Sequence, residues 1–243
     1  MNVSAQQGNI LAPVAAYDAF APYYGSYSET RRPYLRKIEN IVIAHARNIR
    51  SLLDVGAGDG SRALRMARLA NVARVVLLEP SAGMRAQCPQ DAEIWPSGTL
   101  EISNAPQFEV ITCLWNVLGH IQGTEQRLLV LSKLKKLLVP GGAMFLDVTH
   151  RYNAASYGWT RTLLRALTDL FIRADEHRDV IVSWQAGGQT IRTYGHVFTH
   201  AEMKQLFRSA GLKIVARWVI NYESGDECRL PTSGNLLYEL ATA

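Results

Sequence analysis

The chain has 243 residues, 48% apolar and 19% charged, with 26 Lys and Arg against 21 Asp and Glu for a formal charge of +5. That apolar content, without like-charge runs or biased tracts, excludes a disordered or collagen-like chain and suffices for one large domain, with or without an insertion. No apolar run approaches the roughly eighteen residues of a membrane-spanning helix.

The first fifteen residues carry no Lys or Arg, so the basic start of a secretory signal is missing and a cytoplasmic location is expected. Cys88, Cys113 and Cys228 are odd in number and widely spaced, which predicts reduced thiols, no disulfide framework and no metal site. Basic residues are scattered singly or in pairs, so the net charge predicts a solvated surface rather than a nucleic-acid stripe.

Leu35, Ile38, Val42 and Ile49 recur at helical spacing after Pro33 and predict an amphipathic helix over 30–48. From Ser51 onward short apolar runs alternate with helical stretches, the pattern of βαβ units around a parallel sheet. The predicted strands are 52–55, 74–78, 93–95, 109–114 and 143–148, with helices over 61–69 and 124–138, the latter stopped by Pro140-Gly141-Gly142. Residues 157–173 read as a helix, and runs 179–185 and 189–198 joined by Gly187-Gly188 read as a hairpin. Thr199 with Glu202 forms a capping box opening a helix that Gly211 closes, and strands 213–222 and 235–241 follow.

Chemistry concentrates in Leu52-Leu53-Asp54-Val55-Gly56-Ala57-Gly58-Asp59-Gly60, where a buried strand ends in an acid followed by glycine at every second position. Glycine permits positive φ and close approach to a ligand, and the next helix offers free N–H groups. Ser61 stands where a dinucleotide fingerprint would place Gly or Ala. Glu79 ends the second strand, where a carboxylate can accept hydrogen bonds from both hydroxyls of a ribose.

These residues resemble the first motif and the following acid of the class I S-adenosylmethionine-dependent methyltransferases, small-molecule type, across most of residues 17–242. The resemblance implies a doubly wound, mostly parallel seven-stranded α/β sheet of Rossmann-like form, with an antiparallel last strand and an inserted helix-plus-hairpin cap. The corresponding division is a helical lid over 1–50, a cofactor-binding core over 51–150, a substrate cap over 151–198 and the remaining core elements over 199–243. It also implies S-adenosylmethionine contacts from Tyr24, Asp54, Gly56, Ala57, Gly58, Glu79, Pro80, Met84, Gly98, Thr99, Leu100, Leu114, Trp115 and Asn116. Arg31 or Arg32 would meet the cofactor carboxylate. Thr99 stands where relatives commonly carry an acid. The segment 113–120 lacks the Asn-Pro-Pro-Tyr and Asp-Asn patterns of nucleobase and metal-dependent relatives.

His120, His150 and His196 are the candidate general bases, since imidazole titrates near neutral pH. His150 follows the strand at 143–148 and is the favoured one, because ligands gather at strand carboxyl ends in open α/β sheets. Tyr17, Tyr152, Asn153, Trp159, Trp184 and Tyr194 are the candidate acceptor contacts, with an aromatic roof suited to a cation. The expected activity is in-line methyl transfer to an oxygen or nitrogen of a small metabolite, by a monomer or homodimer without a membrane or nucleic-acid partner. RNA or protein methylation, and a non-catalytic nucleotide-binding protein, remain alternatives.

Overall fold

The computed structural model describes residues 9–46, 48–103, 105–172 and 178–243. Its central sheet contains β2 (Ser51–Val55), β3 (Arg74–Leu78), β4 (Glu93–Trp95), β5 (Phe108–Cys113), β6 (Leu138–Val148), β9 (Leu212–Ile220) and β10 (Asn235–Thr242), in the order β4-β3-β2-β5-β6-β10-β9. All neighbours are parallel except β10, which runs antiparallel to both β6 and β9. The doubly wound, mostly parallel architecture expected from the sequence is the one observed.

Burial follows the period of two that a sheet covered on both faces requires. Leu53, Ile111, Met144, Leu146 and Tyr238 pack on one face with Leu131 and Leu134 of α5 (Thr124–Lys136) and Met203 and Phe207 of α8 (His200–Ala210). Leu52, Val110, Phe145 and Leu237 pack on the other with Tyr34, Leu35, Ile38 and Val42 of α2 (Arg32–His45) and Met66 of α3 (Ser61–Ala70). A third cluster joins Ala16, Phe20 and Tyr24 of α1 (Pro13–Thr30) to Trp184 of β7 (Asp179–Ala186), Ile191 of β8 (Gln189–His196) and Met84 of the one-turn α4 (Ala82–Arg85). The hairpin β7–β8 forms a separate three-stranded sheet with β1 (Ile10–Leu11), which pairs parallel to β8.

The helix expected over 30–48 is α2, which starts at Arg32 with Pro33 accommodated in its first turn and ends at His45. The helix expected over 157–173 is α6 (Ala154–Tyr157) and α7 (Trp159–Phe171), separated by Gly158 at φ +80°; residue 173 lies outside the described residues. Pro140-Gly141-Gly142 lies inside β6 rather than stopping α5, which has already ended at Lys136. There Gly142 meets the Glu109 carbonyl too closely for a Cβ, beside a register shift between Phe108 and Val110. Neither α1 nor the pairing of β1 was visible as a pattern, since α1 mixes apolar and polar positions along its length.

The capping box forms: the Thr199 hydroxyl accepts the Glu202 N–H at 3.2 Å, and the Glu202 carboxylate accepts the Thr199 N–H at 3.5 Å. Thr199→Ala is expected to destabilise the protein by about 1 kcal/mol, read as a lower urea midpoint with unchanged slope.

Candidate active site

Strand order reverses between β2 and β5, and ligands bind at such switch points, beyond the strand carboxyl ends. A cavity of about 200 Å³ opens there, lined by Gly56, Gly58, Glu79, Pro80, Gly98, Thr99, Leu114 and Trp115, with Tyr17, Tyr24, Arg62, Val117, His120 and Ile121. Gly56 and Gly58 have φ of +65° and +62°. A Cβ on Gly56 would meet Val117 at 2.6 Å, and one on Gly58 would meet the Tyr24 hydroxyl at 2.8 Å.

The Glu79 carboxylate accepts the Gly58 N–H on one oxygen and the Ser81 N–H on the other, each at 2.8 Å. Burial raises its pKa above the ordinary value while these two bonds oppose the shift. Each oxygen keeps a lone pair for a further donor. Asp18 of α1 accepts the Ser81 hydroxyl at 2.6 Å and the Gly83 N–H at 2.9 Å, tying the roof helix to α4. The Ser81 bond leads the effects that hold the Asp18 carboxyl below its usual range.

Below the glycine loop, Asp54 accepts the Thr112 hydroxyl at 2.6 Å through one oxygen, while its other oxygen is buried without a partner. Arg62 of α3 is buried beside it, with its Nε unpartnered. Burial pushes the Asp54 pKa up against the opposing Arg62 charge; it works to lower that of Arg62, but Asp54 and the other neighbouring groups outweigh it and the Arg62 pKa is raised.

Trp115 and Asn116 both adopt positive φ, +67° and +60°. Outside glycine this costs roughly 1–3 kcal/mol per residue and needs surrounding bonds to hold it. Buried Asp147 supplies them, accepting the Trp115 N–H on one oxygen and the Tyr34 hydroxyl at 2.5 Å on the other. The Asn116 side chain accepts the Thr149 N–H at 2.9 Å.

Beyond Trp115 lies a second chamber of about 110 Å³, lined by Tyr17, Phe20, Tyr24, Tyr27, Trp115, Asn116, His120, Thr149, Val182, Trp184 and Tyr222. None of these is acidic or basic apart from the imidazole. The rings brace one another: Trp184 stacks on Phe20 at 4.6 Å, Tyr27 stacks on Trp115 at 5.8 Å, and the Trp115 indole N–H donates to the Tyr222 hydroxyl at 3.0 Å. Tyr17, Tyr24, Trp115 and His120 line both spaces, so the two adjoin across a shared wall.

His120 stands at the junction. Its Nδ1 lies 2.9 Å from the Tyr194 carbonyl oxygen, which only accepts, so Nδ1 carries the hydrogen and Nε2 accepts the Tyr17 hydroxyl at 3.0 Å. Burial lowers the His120 pKa and raises that of Tyr17, keeping both uncharged. The Tyr194 hydroxyl is fixed 2.8 Å from Asp179 and 2.5 Å from buried Arg127, which positions the carbonyl that sets the His120 tautomer.

Several expected site residues fall elsewhere. His150, the favoured base, is buried beneath α8 and the β9–β10 connection, with its Nδ1 unpartnered, and lines neither space. His196 is clamped between Asp179 at 2.5 Å and Glu202 at 2.9 Å. Ala57 and Met84 face the interior, in clusters with Leu77 and with Phe20 respectively, and Leu100 points outward. Asn116 lines the second chamber but not the first. Tyr152 donates to Asp169, Asn153 caps α6, the Tyr194 side chain joins the Arg127 network, and Trp159 is exposed on the outer surface. Arg31 pairs with Glu223 and Arg32 with Glu29. The guanidinium at the cavity is that of Arg62, which the sequence motifs did not single out. Tyr27, Thr149 and Tyr222 were likewise missed, because each reaches the chamber from a different element.

Residues 27–217 match the family model described as a methyltransferase domain. The chain belongs to that family. This enzyme is thus one of the S-adenosylmethionine-dependent methyltransferases that its glycine loop and Glu79 resemble. It is 26% identical over 181 residues to the cypemycin N-terminal methyltransferase of Streptomyces sp, covering 68% of this chain and 73% of the relative. A S-adenosylmethionine-dependent methyltransferase from Clostridium acetobutylicum superposes with a TM-score of 0.66 at 10% identity, over 93% of this chain and 98% of that one. An amino pentose methyltransferase of calicheamicin biosynthesis from Micromonospora echinaspora superposes with a TM-score of 0.60 at 16% identity, over 98% and 100% of the two chains. At these identities the two solved structures share the fold.

Burial brings the His150 pKa down to about 4, below the roughly 6.5 of a free imidazole. The unfolded chain therefore takes up this proton first as pH falls. The stability linked to His150 is complete above about pH 6.5 and is drawn down between there and about pH 4. The loss of urea stability from about pH 7 to about pH 5 is expected to be smaller in His150→Gln than in the parent protein.

Proposed function

We propose that this methyltransferase transfers the methyl group of S-adenosylmethionine to the amine nitrogen of a small metabolite. The observation that carries the reading is that the glycine-loop cavity adjoins an uncharged aromatic chamber, the two sharing Tyr17, Tyr24, Trp115 and His120 as walls.

The donor cavity fits its cofactor. Glu79 has lone pairs free for both ribose hydroxyls, Pro80, Gly98 and Thr99 continue along the base side, and Gly56 and Gly58 admit close approach. Arg62 lines the cavity with its Nε unpartnered and is a donor for the carboxylate of an amino acid, while Asp54, expected at the cofactor, lies fully buried outside the lining. S-adenosylmethionine, when bound, supplies an electrophilic methyl group on a sulfonium.

On the acceptor side, the chamber rings exclude water and hold the nucleophile in line, which is the main requirement of a displacement. A nitrogen that gives up its electron pair gains positive charge, and aromatic faces attract cations. A proton carried by the amine can pass to the Tyr17 oxygen while the Tyr17 proton moves to His120 Nε2. The relative named for N-terminal methylation supports a nitrogen acceptor.

Calorimetric titration should give binding of S-adenosylmethionine and S-adenosylhomocysteine but not of NAD; absence of both sulfur nucleosides in folded protein would overturn the reading. Glu79→Ala is expected to weaken S-adenosylhomocysteine binding about 10- to 100-fold, and unchanged affinity would remove Glu79 from the ribose site. Trp184 lines only the acceptor chamber. With a panel of small amines, Trp184→Leu is expected to lower kcat/KM for the acceptor about tenfold while leaving donor affinity within about twofold.

A further inference from the structure

Helix α7 is amphipathic with its polarity reversed. Three of its polar residues face the protein: Thr162 is buried, Asp169 receives both the Nε and a terminal nitrogen of Arg151 at 2.7 Å, and Arg165 donates to the Arg151 carbonyl at 3.0 Å while lying over the Tyr157 ring, whereas Thr160 and Arg161 are exposed. Its apolar residues face outward. Trp159, Leu163, Leu164, Leu167, Leu170 and Phe171 are each between 49% and 84% exposed. Helices of a finished surface show the opposite arrangement.

The exposed stripe is large. Each aromatic presents roughly 150–250 Å², so with four leucines the patch exceeds the roughly 300–600 Å² of the largest apolar patch on an ordinary monomer. It is comparable with the about 800 Å² that one partner contributes to a standard protein interface. Trp159, Leu163, Leu167 and Leu170 run along one line of the helix, the spacing by which two helices interdigitate. Of the three charges on α7, Arg165 and Asp169 are committed inward, leaving Arg161. A helix lying in a membrane surface would carry a basic flank for anionic headgroups, and this one has a single arginine.

We infer that the outer face of α7 is the interface for a second copy of this chain, the two helices packing about a two-fold axis. A stripe that is apolar apart from Thr160 and carries no acid is complementary to itself, and closed two-fold dimers are the commonest assembly of soluble chains. The interface is linked to the acceptor chamber through Asp169 and Arg151, two residues beyond chamber-lining Thr149.

Sedimentation velocity from about 1 to about 100 μM is expected to show a dimer for the parent protein and a monomer for the double variant Leu163→Glu, Leu167→Glu. Both leucines are exposed, so thermal stability and S-adenosylhomocysteine affinity should be retained; if that variant fails to fold, Phe171→Glu at the open end of the helix takes its place. A parent protein that stays monomeric, or a folded variant that stays dimeric, overturns the inference. A monomer that co-sediments with vesicles of phosphatidylglycerol and phosphatidylcholine overturns it in favour of a lipid surface.

Discussion

The site depends on one carboxylate cut off from water. Asp147 ends its bonding on Trp115 and Tyr34, joining β6 to the strained turn after β5 and to α2 in a single contact. Burial raises its pKa, and its hydrogen bonds and the charge of Arg62 oppose the rise. Two consecutive residues in the left-handed region would otherwise relax, and the Trp115 ring would leave the wall between the two cavities. That ring is a wall common to the glycine-loop cavity and the aromatic chamber.

The roof over this wall comes from sequence-distant pieces held by two kinds of bond. Asp18 pins α1 to the turn after β3, and Phe20 stacks on Trp184 of the hairpin. The hairpin is fixed in turn by Arg127, which is 1% exposed and lies among Tyr194, Asp179 and Glu202. A buried guanidinium is tolerated only when surrounded in this way. Through the Tyr194 carbonyl, this network also decides which nitrogen of His120 faces the site.

The donor half of the site was legible in the sequence because it is local: the glycine loop and Glu79 sit at the ends of adjacent parallel strands, so strand recognition alone placed them together. The hairpin and the Thr199 capping box were legible for the same reason. The acceptor half was not. Its walls come from α1, the turn after β5, β7 and the segment after β9, and no periodicity encodes which side chains converge. His150 was misplaced because β10 enters beside β6, so the strand end leads into a packed corner. Arg62 shares its helix with Arg65 and Arg68, and only the Asp54 carboxylate behind it distinguishes its burial.

The parallel pairing of β1 with β8 bears on how the enzyme is made. Leu11 accepts the Thr193 hydroxyl across 182 positions, so the first strand of the roof has no partner until most of the chain has been synthesised. The α/β core from β2 to β6 and the Asp18 bonds of α1 to the turn after β3 can form from nearer contacts, whereas the side of α1 that packs on the hairpin waits for β7 and β8. Phe20 therefore gains its Trp184 neighbour only late in synthesis, and the chamber closes as a late folding event rather than an early one.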